Sequence, residues 1–229
     1  AETSWFREGM ISVQDESSML VAAVADPKPG MTVLDCCAAP GGKSAHMAEI
    51  MGNEGKVIAS DLHEHKRGLI EQQKRRLGLD IIETATADAL ELGTRYPEQS
   101  MDVVLLDAPC SGLGVIRRKP EIKWNKRPEQ IAELAELQRR LLREAARLVK
   151  PGGTLVYSTC TISPEENEET VRSFLRENPA FLPDADWPEE VLAPLRERRV
   201  LPEPFNGQAQ LLPHQFGSDG FFIARLRRR

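Results

Sequence analysis

Four short apolar runs in this chain each lead into an aspartate: residues 31–34 into Asp35, 57–59 into Ser60-Asp61, 81–87 into Asp88 and 101–106 into Asp107. Apolar runs with little polar alternation are the pattern of strands covered on both faces, which means a parallel sheet between helices. Helical spacings fall between the runs, so the expected fold is α/β, a mostly parallel Rossmann-like sheet with helices on both faces. Ligands of such sheets bind beyond the carboxyl ends of the strands. One aspartate there is most often a helix cap, but four along one edge exceed what capping requires.

The first run opens the most specific stretch, Asp35-Cys36-Cys37-Ala38-Ala39-Pro40-Gly41-Gly42-Lys43, and Ala45, Met47, Ala48 and Met51 then follow at helical spacing. Strand, small-residue turn and helix make a nucleotide-binding crossover: the glycines admit a ligand close to the backbone, and the helix start presents amides. The Gly-x-Gly-x-x-Gly fingerprint of dinucleotide sites is missing, and Pro40 and Lys43 suit a diphosphate poorly. A mononucleoside without phosphates, such as S-adenosylmethionine, fits better. Asp61 follows the glycines by about 20 residues, the position at which nucleoside-binding folds place a carboxylate for the ribose hydroxyls.

A chain of 229 residues, 41% hydrophobic, buries a sizeable core. It has no apolar run of membrane-spanning length and no signal-peptide pattern at Ala1, which points to a cytoplasmic protein. Its four cysteines form no Cys-x-x-Cys pair, and no histidine cluster accompanies them, so neither a metal site nor a disulfide framework is expected. A net charge of -5 argues against gripping nucleic acid by bulk electrostatics and leaves that task to local patches.

Elsewhere, Ile11 and Val13 suggest a short strand, and residues 14–18 a polar cap before a helix over 19–25. Residues 63–77 read as a helix stopped by Gly78, with His63 and His65 on the surface facing different ways. Residues 111–127 form a loop in which Arg117, Arg118, Lys119, Lys123, Lys126 and Arg127 surround Trp124. Cations interleaved with an aromatic suit single-stranded nucleic acid, although a solvated basic loop has the same composition. Pro128 opens the longest helix, with Ile131, Leu134, Leu141, Leu142, Ala145, Leu148 and Val149 on one face. A fifth strand over 154–158 precedes Thr159-Cys160-Thr161, and Ser163-Pro164-Glu165-Glu166 reads as a capping box. Cys160 then lies between a strand end and a helix start. Half-ionising a thiol of ordinary pKa, about 8.5, at neutral pH asks for about 2 kcal/mol, whereas a helix terminus supplies about 0.3–1 kcal/mol. A nearby cation is needed, and Lys43 is the candidate. Residues 181–204 are proline-rich and acidic and read as an irregular insert, while 208–212 and 221–226 read as an antiparallel pair.

Three motifs, Asp35 to Lys43, Asp107-Ala108-Pro109-Cys110-Ser111-Gly112 and Ser158-Thr159-Cys160-Thr161, together resemble the Sun (Fmu, RsmB-type) family of RNA cytosine-5 methyltransferases. The resemblance runs from Gln14 to Phe222 and is strongest to bacterial members that act on small-subunit ribosomal RNA. It implies a seven-stranded methyltransferase sheet with S-adenosylmethionine at the carboxyl edge. Cys37, Ala38, Ala39, Pro40, Gly41, Gly42 and Lys43 would wrap its methionine and sulfonium end. Asp61 would hold the ribose, Asp88 lie near the adenine, and Asp107 border both cofactor and target base. The nucleophile maps to Cys160, and Cys110 is the second cysteine, acting late. Family members carry an N-terminal RNA-binding domain similar to the antiterminator NusB. The expectation is therefore a catalytic domain over 26–229 with a lead-in segment over 1–25. The expected partner is 16S ribosomal RNA, unassembled or partly assembled, met by a monomer through Arg117, Arg118, Lys119 and Trp124.

The chemistry accounts for two thiols. Carbon 5 of cytosine takes a methyl group only after a thiolate adds to carbon 6; afterwards the carbon 5 proton must leave and the enzyme be expelled. Cys110 or a water it positions assists that step. A DNA cytosine-5 methyltransferase would place its cysteine where Cys110 stands, an amino-group methyltransferase would need an aromatic after Asp107-Ala108-Pro109, and a non-catalytic RNA-binding module would need neither thiol.

Overall fold

The computed structural model describes residues 3–229. In chain order the elements are α1 (Ser4–Arg7), α2 (Glu16–Ala25), β1 (Thr32–Asp35), α3 (Gly42–Ile50), β2 (Lys56–Asp61), α4 (Glu64–Leu77), β3 (Ile82–Thr86) and β4 (Met101–Asp107). There follow α5 (Ile122–Asn125), α6 (Pro128–Leu148), β5 (Val149–Thr159), α7 (Glu168–Glu177), β6 (Phe181–Pro183), α8 (Glu189–Glu197), β7 (Gln208–Leu211), α9 (Pro213–Phe216) and β8 (Phe221–Arg228). The strands form one sheet ordered β3-β2-β1-β4-β5-β8-β6, with β7 also paired to β8. Strands β1 to β5 are parallel, and β8 runs antiparallel to β5.

Strand alternation divides the core in two. Val33, Val57, Val103, Leu105 and Val156 face a layer holding α2, α3 and α8, built around Val21, Met47 and Leu195. Leu34, Ile58, Val104, Leu106, Leu155 and Tyr157 face the opposite layer, where Leu141, Leu142 and Ala145 of α6 meet Val171 and Phe174 of α7. With both faces covered, the central strands have no reason to alternate polar and apolar, as their sequence indicated.

Four expectations change. The sheet has eight strands rather than seven, because residues 181–204 are not irregular. They contain β6, whose Pro183 is tolerated beside a single neighbour at the sheet edge, and α8. Trp187 anchors this segment, buried against Phe205 with ring centroids 5.1 Å apart and its indole N–H on the carbonyl of Asp184. No strand forms at Ile11 and Val13; the guanidinium of Arg76 takes the carbonyls of Phe6 and Ile11 instead. His63 and His65 stack at 5.5 Å, because His63 precedes the helix in extended backbone. The 163–166 capping box is absent: α7 begins at Glu168, and Glu166 and Asn167 turn into the core.

Candidate active site

Strand ends place the functional side chains. Asp61 and Asp107 are the last residues of β2 and β4, and Asp88 follows β3 by two. All three line one cavity of about 460 Å³, whose other walls include Cys37, Ala39, Leu62, Leu90, Pro109 and Leu137. Carboxylates in an otherwise largely aliphatic lining suit a nucleoside, whose hydroxyls and amine donate while its base lies between aliphatic walls. Asp61 is itself fixed, accepting from the amide of Ala39 at 3.2 Å with Lys66 at 3.5 Å. The donor set thus fits S-adenosylmethionine. A smaller adjoining cavity of about 150 Å³ is lined by Cys37, Ala38, Ala39, Pro40, Gly42, Lys43 and again Asp107.

The glycine turn has a steric cause. Gly41 sits at φ 105°, and a Cβ there would lie 3.1 Å from the Cα of Ile70 on α4. The turn backbone therefore packs directly against α4, and α3 begins at the next residue. From its first turn Lys43 sends Nζ to Asp107 Oδ2 at 2.6 Å, while Ser158 Oγ donates to Asp107 Oδ1 at 2.8 Å. Burial works against the charge on Lys43, but Asp107 and Asp35 outweigh it and hold its pKa above the usual value. Asp35, fully buried with Ser44 donating to it, is pushed by burial up to about 7. Burial drives the thiols of Cys36 and Cys37 far above the ordinary range, so neither offers a thiolate, although Cys37 lines both cavities.

Cys110 and Cys160 follow the parallel strands β4 and β5, and their sulfurs lie 3.4 Å apart. The hydrogen bond from Cys110 holds the Cys160 thiol below its usual pKa against burial and Asp107, with Lys43 assisting. The same bond, together with burial, drives Cys110 up. Of the two thiols, Cys160 is therefore the one that ionises more readily. The cation expected beside Cys160 is Lys43; the helix start expected there lies eight residues on, at Glu168.

Of the four residues expected to meet RNA, Lys119 is exposed and Trp124 is 79% exposed. Arg117 and Arg118 are exposed too, but they also pair with the buried carboxylate of Asp219, and Arg117 donates to the carbonyl of Gly217. They pin the 112–127 loop to the C-terminal segment. Sequence reasoning missed Ser158, the second partner of Asp107, and Gln138, Glu166 and Asn167, which are wholly buried behind the cysteines. Gln138 had a legible signal, since it occupies a position on the apolar face of α6. No helix among the described residues is long and apolar enough to cross a membrane, and no group of metal-ligating side chains occurs among them.

The chain is 52% identical over all its residues to the Bacillus subtilis probable ribosomal RNA small subunit methyltransferase B, of which it covers 50%. It therefore spans about half the length of the curated relatives it matches. Among solved structures it superposes on PH0851 with a TM-score of 0.89 at 41% identity, covering 99% of this chain and 49% of that one. On NSun6 from Pyrococcus horikoshii, crystallised with SFG, the TM-score is 0.84 at 32% identity, over 99% of this chain and 55% of that one. The sheet and its helices are those of the Rossmann-like S-adenosylmethionine-dependent methyltransferase fold. The family described as 16S rRNA methyltransferase RsmB/F matches residues 22–227, and this chain belongs to it.

Proposed function

We propose that the chain methylates carbon 5 of a cytosine in 16S ribosomal RNA, with Cys160 as nucleophile and S-adenosylmethionine as donor. The observation that carries this reading is the pair of thiols, their sulfurs 3.4 Å apart, just past the two strand ends joined at Asp107. A transferase acting on an amine or hydroxyl has no use for two such thiols.

Bound S-adenosylmethionine supplies an electrophilic methyl group. Cys160, as thiolate, adds to carbon 6 of the base, and the electron pair displaced onto carbon 5 takes the methyl. Asp107, held by Lys43 and Ser158, accepts from the exocyclic amine of the base, and a solvent proton taken up at the ring nitrogen neutralises the charge that develops there. Cys110, once its own proton has passed to solvent, or a water it holds takes the carbon 5 proton, and the Cys160–carbon 6 bond breaks to return the thiolate and restore the ring. Asp61 holds the ribose of the donor, Asp88 lies by its adenine, and residues 37–43 wrap its methionine end. The target base leaves its stack to reach the rim.

The test is methyl transfer from tritiated S-adenosylmethionine to a 16S ribosomal RNA transcript. Cys160→Ser abolishes transfer while cofactor binding persists, and Cys110→Ala accumulates a protein–RNA adduct that survives denaturation. Turnover by Cys160→Ser, or no adduct with Cys110→Ala, overturns the reading. Bisulfite sequencing of the product RNA reports whether carbon 5 of a cytosine is the acceptor.

A further inference from the structure

Both chain neighbours of each cysteine are tied to three buried side chains that the mechanism above does not use. Beside Cys110, the carbonyl of Pro109 accepts from Gln138 Nε2 at 2.9 Å, and Ser111 donates to Glu166 from its amide, at 2.8 Å, and from its hydroxyl. Beside Cys160, Thr159 Oγ1 donates to Asn167 Oδ1 at 2.6 Å, and Asn167 Nδ2 donates to the carbonyl of Thr161 at 3.1 Å. Two further bonds close the ring: Ser111 Oγ meets Thr161 Oγ1 at 2.7 Å, and Gln138 Nε2 donates to Glu166 Oε1 at 2.9 Å. Gln138, Glu166 and Asn167 have no exposed surface.

A carboxylate placed in a core is costly unless it is fully hydrogen-bonded, and an apolar substitute is often as stable. Glu166 accepts three hydrogen bonds, and two of them come from the residue next to Cys110. Both cysteines stand in irregular backbone just past a strand end, where no ladder fixes them.

We propose that Gln138, Glu166 and Asn167 form a clamp that sets the separation of the two sulfurs, with Glu166 as the positioning residue that times release of product from Cys160. The proposal rests on the addition and elimination reading above. Elimination needs one sulfur bonded at carbon 6 while the other serves the adjacent carbon, so a small error in their spacing slows release more than addition. A displacement of about 1 Å is enough to cost a reaction roughly a hundredfold.

Phenylarsine oxide bridges two nearby thiols through one arsenic atom with loss of water, and its affinity reads the sulfur spacing without RNA or methyl donor. Its loss in Cys110→Ser assigns the binding to this pair. Glu166→Gln should weaken arsenical binding about tenfold, the equivalent of one hydrogen bond to a charged group, while S-adenosylmethionine affinity stays unchanged. Ser111→Ala, which keeps the backbone bond to Glu166 but removes the hydroxyl's bonds to Glu166 and Thr161, should weaken it in the same direction, and it decides the matter if Glu166→Gln does not fold. With the 16S transcript, Glu166→Gln should lower kcat at constant KM and accumulate the covalent adduct. Unchanged arsenical affinity in both variants overturns the clamp. Weakened arsenical binding with no methylation by any form, wild type included, upholds the clamp and overturns the methyltransferase reading instead.

Discussion

Lys43 Nζ lies 2.6 Å from Asp107 Oδ2, across 64 residues of sequence. Because Ser158 holds the other oxygen, this one carboxylate joins the first turn of α3 to the ends of β4 and β5. The two cavities and the cysteine loops therefore meet at a single group.

Replacing Lys43 by methionine removes the cation that helps keep the Cys160 thiol below its usual pKa. Less thiolate is then present at neutral pH, and the thiolate is the reactive form. Alkylation of Cys160 by iodoacetamide, followed by mass spectrometry of its peptide, should slow several-fold. A rate equal to wild type would remove Lys43 from the nucleophile's electrostatics.

Asp35 gives a dependence of stability on pH with a definite sign. Burial pushes its folded pKa up to about 7, whereas the unfolded carboxyl has the ordinary value of about 3.9. Between these limits the folded chain keeps a proton that the unfolded chain has released. The contribution is thus fully present below the lower value and is lost as pH rises through the upper one, at about 1.4 kcal/mol per pH unit. Asp35→Asn should lack this loss. Urea unfolding should show the variant gaining on wild type by about 2–3 kcal/mol between roughly pH 5 and pH 7; a pH-independent difference would contradict the assignment.

Asp61→Asn preserves an acceptor for the Ala39 amide but removes the charge facing the cavity. The loss of one charge-assisted bond to a ribose hydroxyl should weaken S-adenosylmethionine binding about tenfold in calorimetry. An unaltered Kd would move the ribose elsewhere.

Trp124 is 79% exposed, and Lys123 Nζ lies 4.7 Å from its ring centroid. Trp124→Ala should leave thermal stability within about 0.5 kcal/mol. It should also cost about 1–3 kcal/mol of affinity for a single-stranded RNA, the usual worth of one stacked base. Arg118→Ala is expected to behave differently and lower the melting temperature as well, because Asp219 is buried against it. RNA affinity unchanged in Trp124→Ala would return this loop to the solvated class.

The sequence alone determined the parallel core, the glycine turn and the strand-end carboxylates, because buried parallel strands and tight turns are written in local periodicity and residue size. Val33, Val57, Val103 and Val156 announce their strands without help from any partner. The convergence of Cys110 with Cys160, of Lys43 with Asp107, and of Gln138 and Asn167 with the cysteine loops was decided by tertiary structure. Each pairing depends on the order of strands in the sheet and on which helix covers them, and no local signal encodes either. The same cause explains the 163–166 segment. Its residues carry a sound capping pattern, but Glu166 finds the hydroxyl and amide of Ser111, 55 residues away, and those bonds outweigh a helix turn.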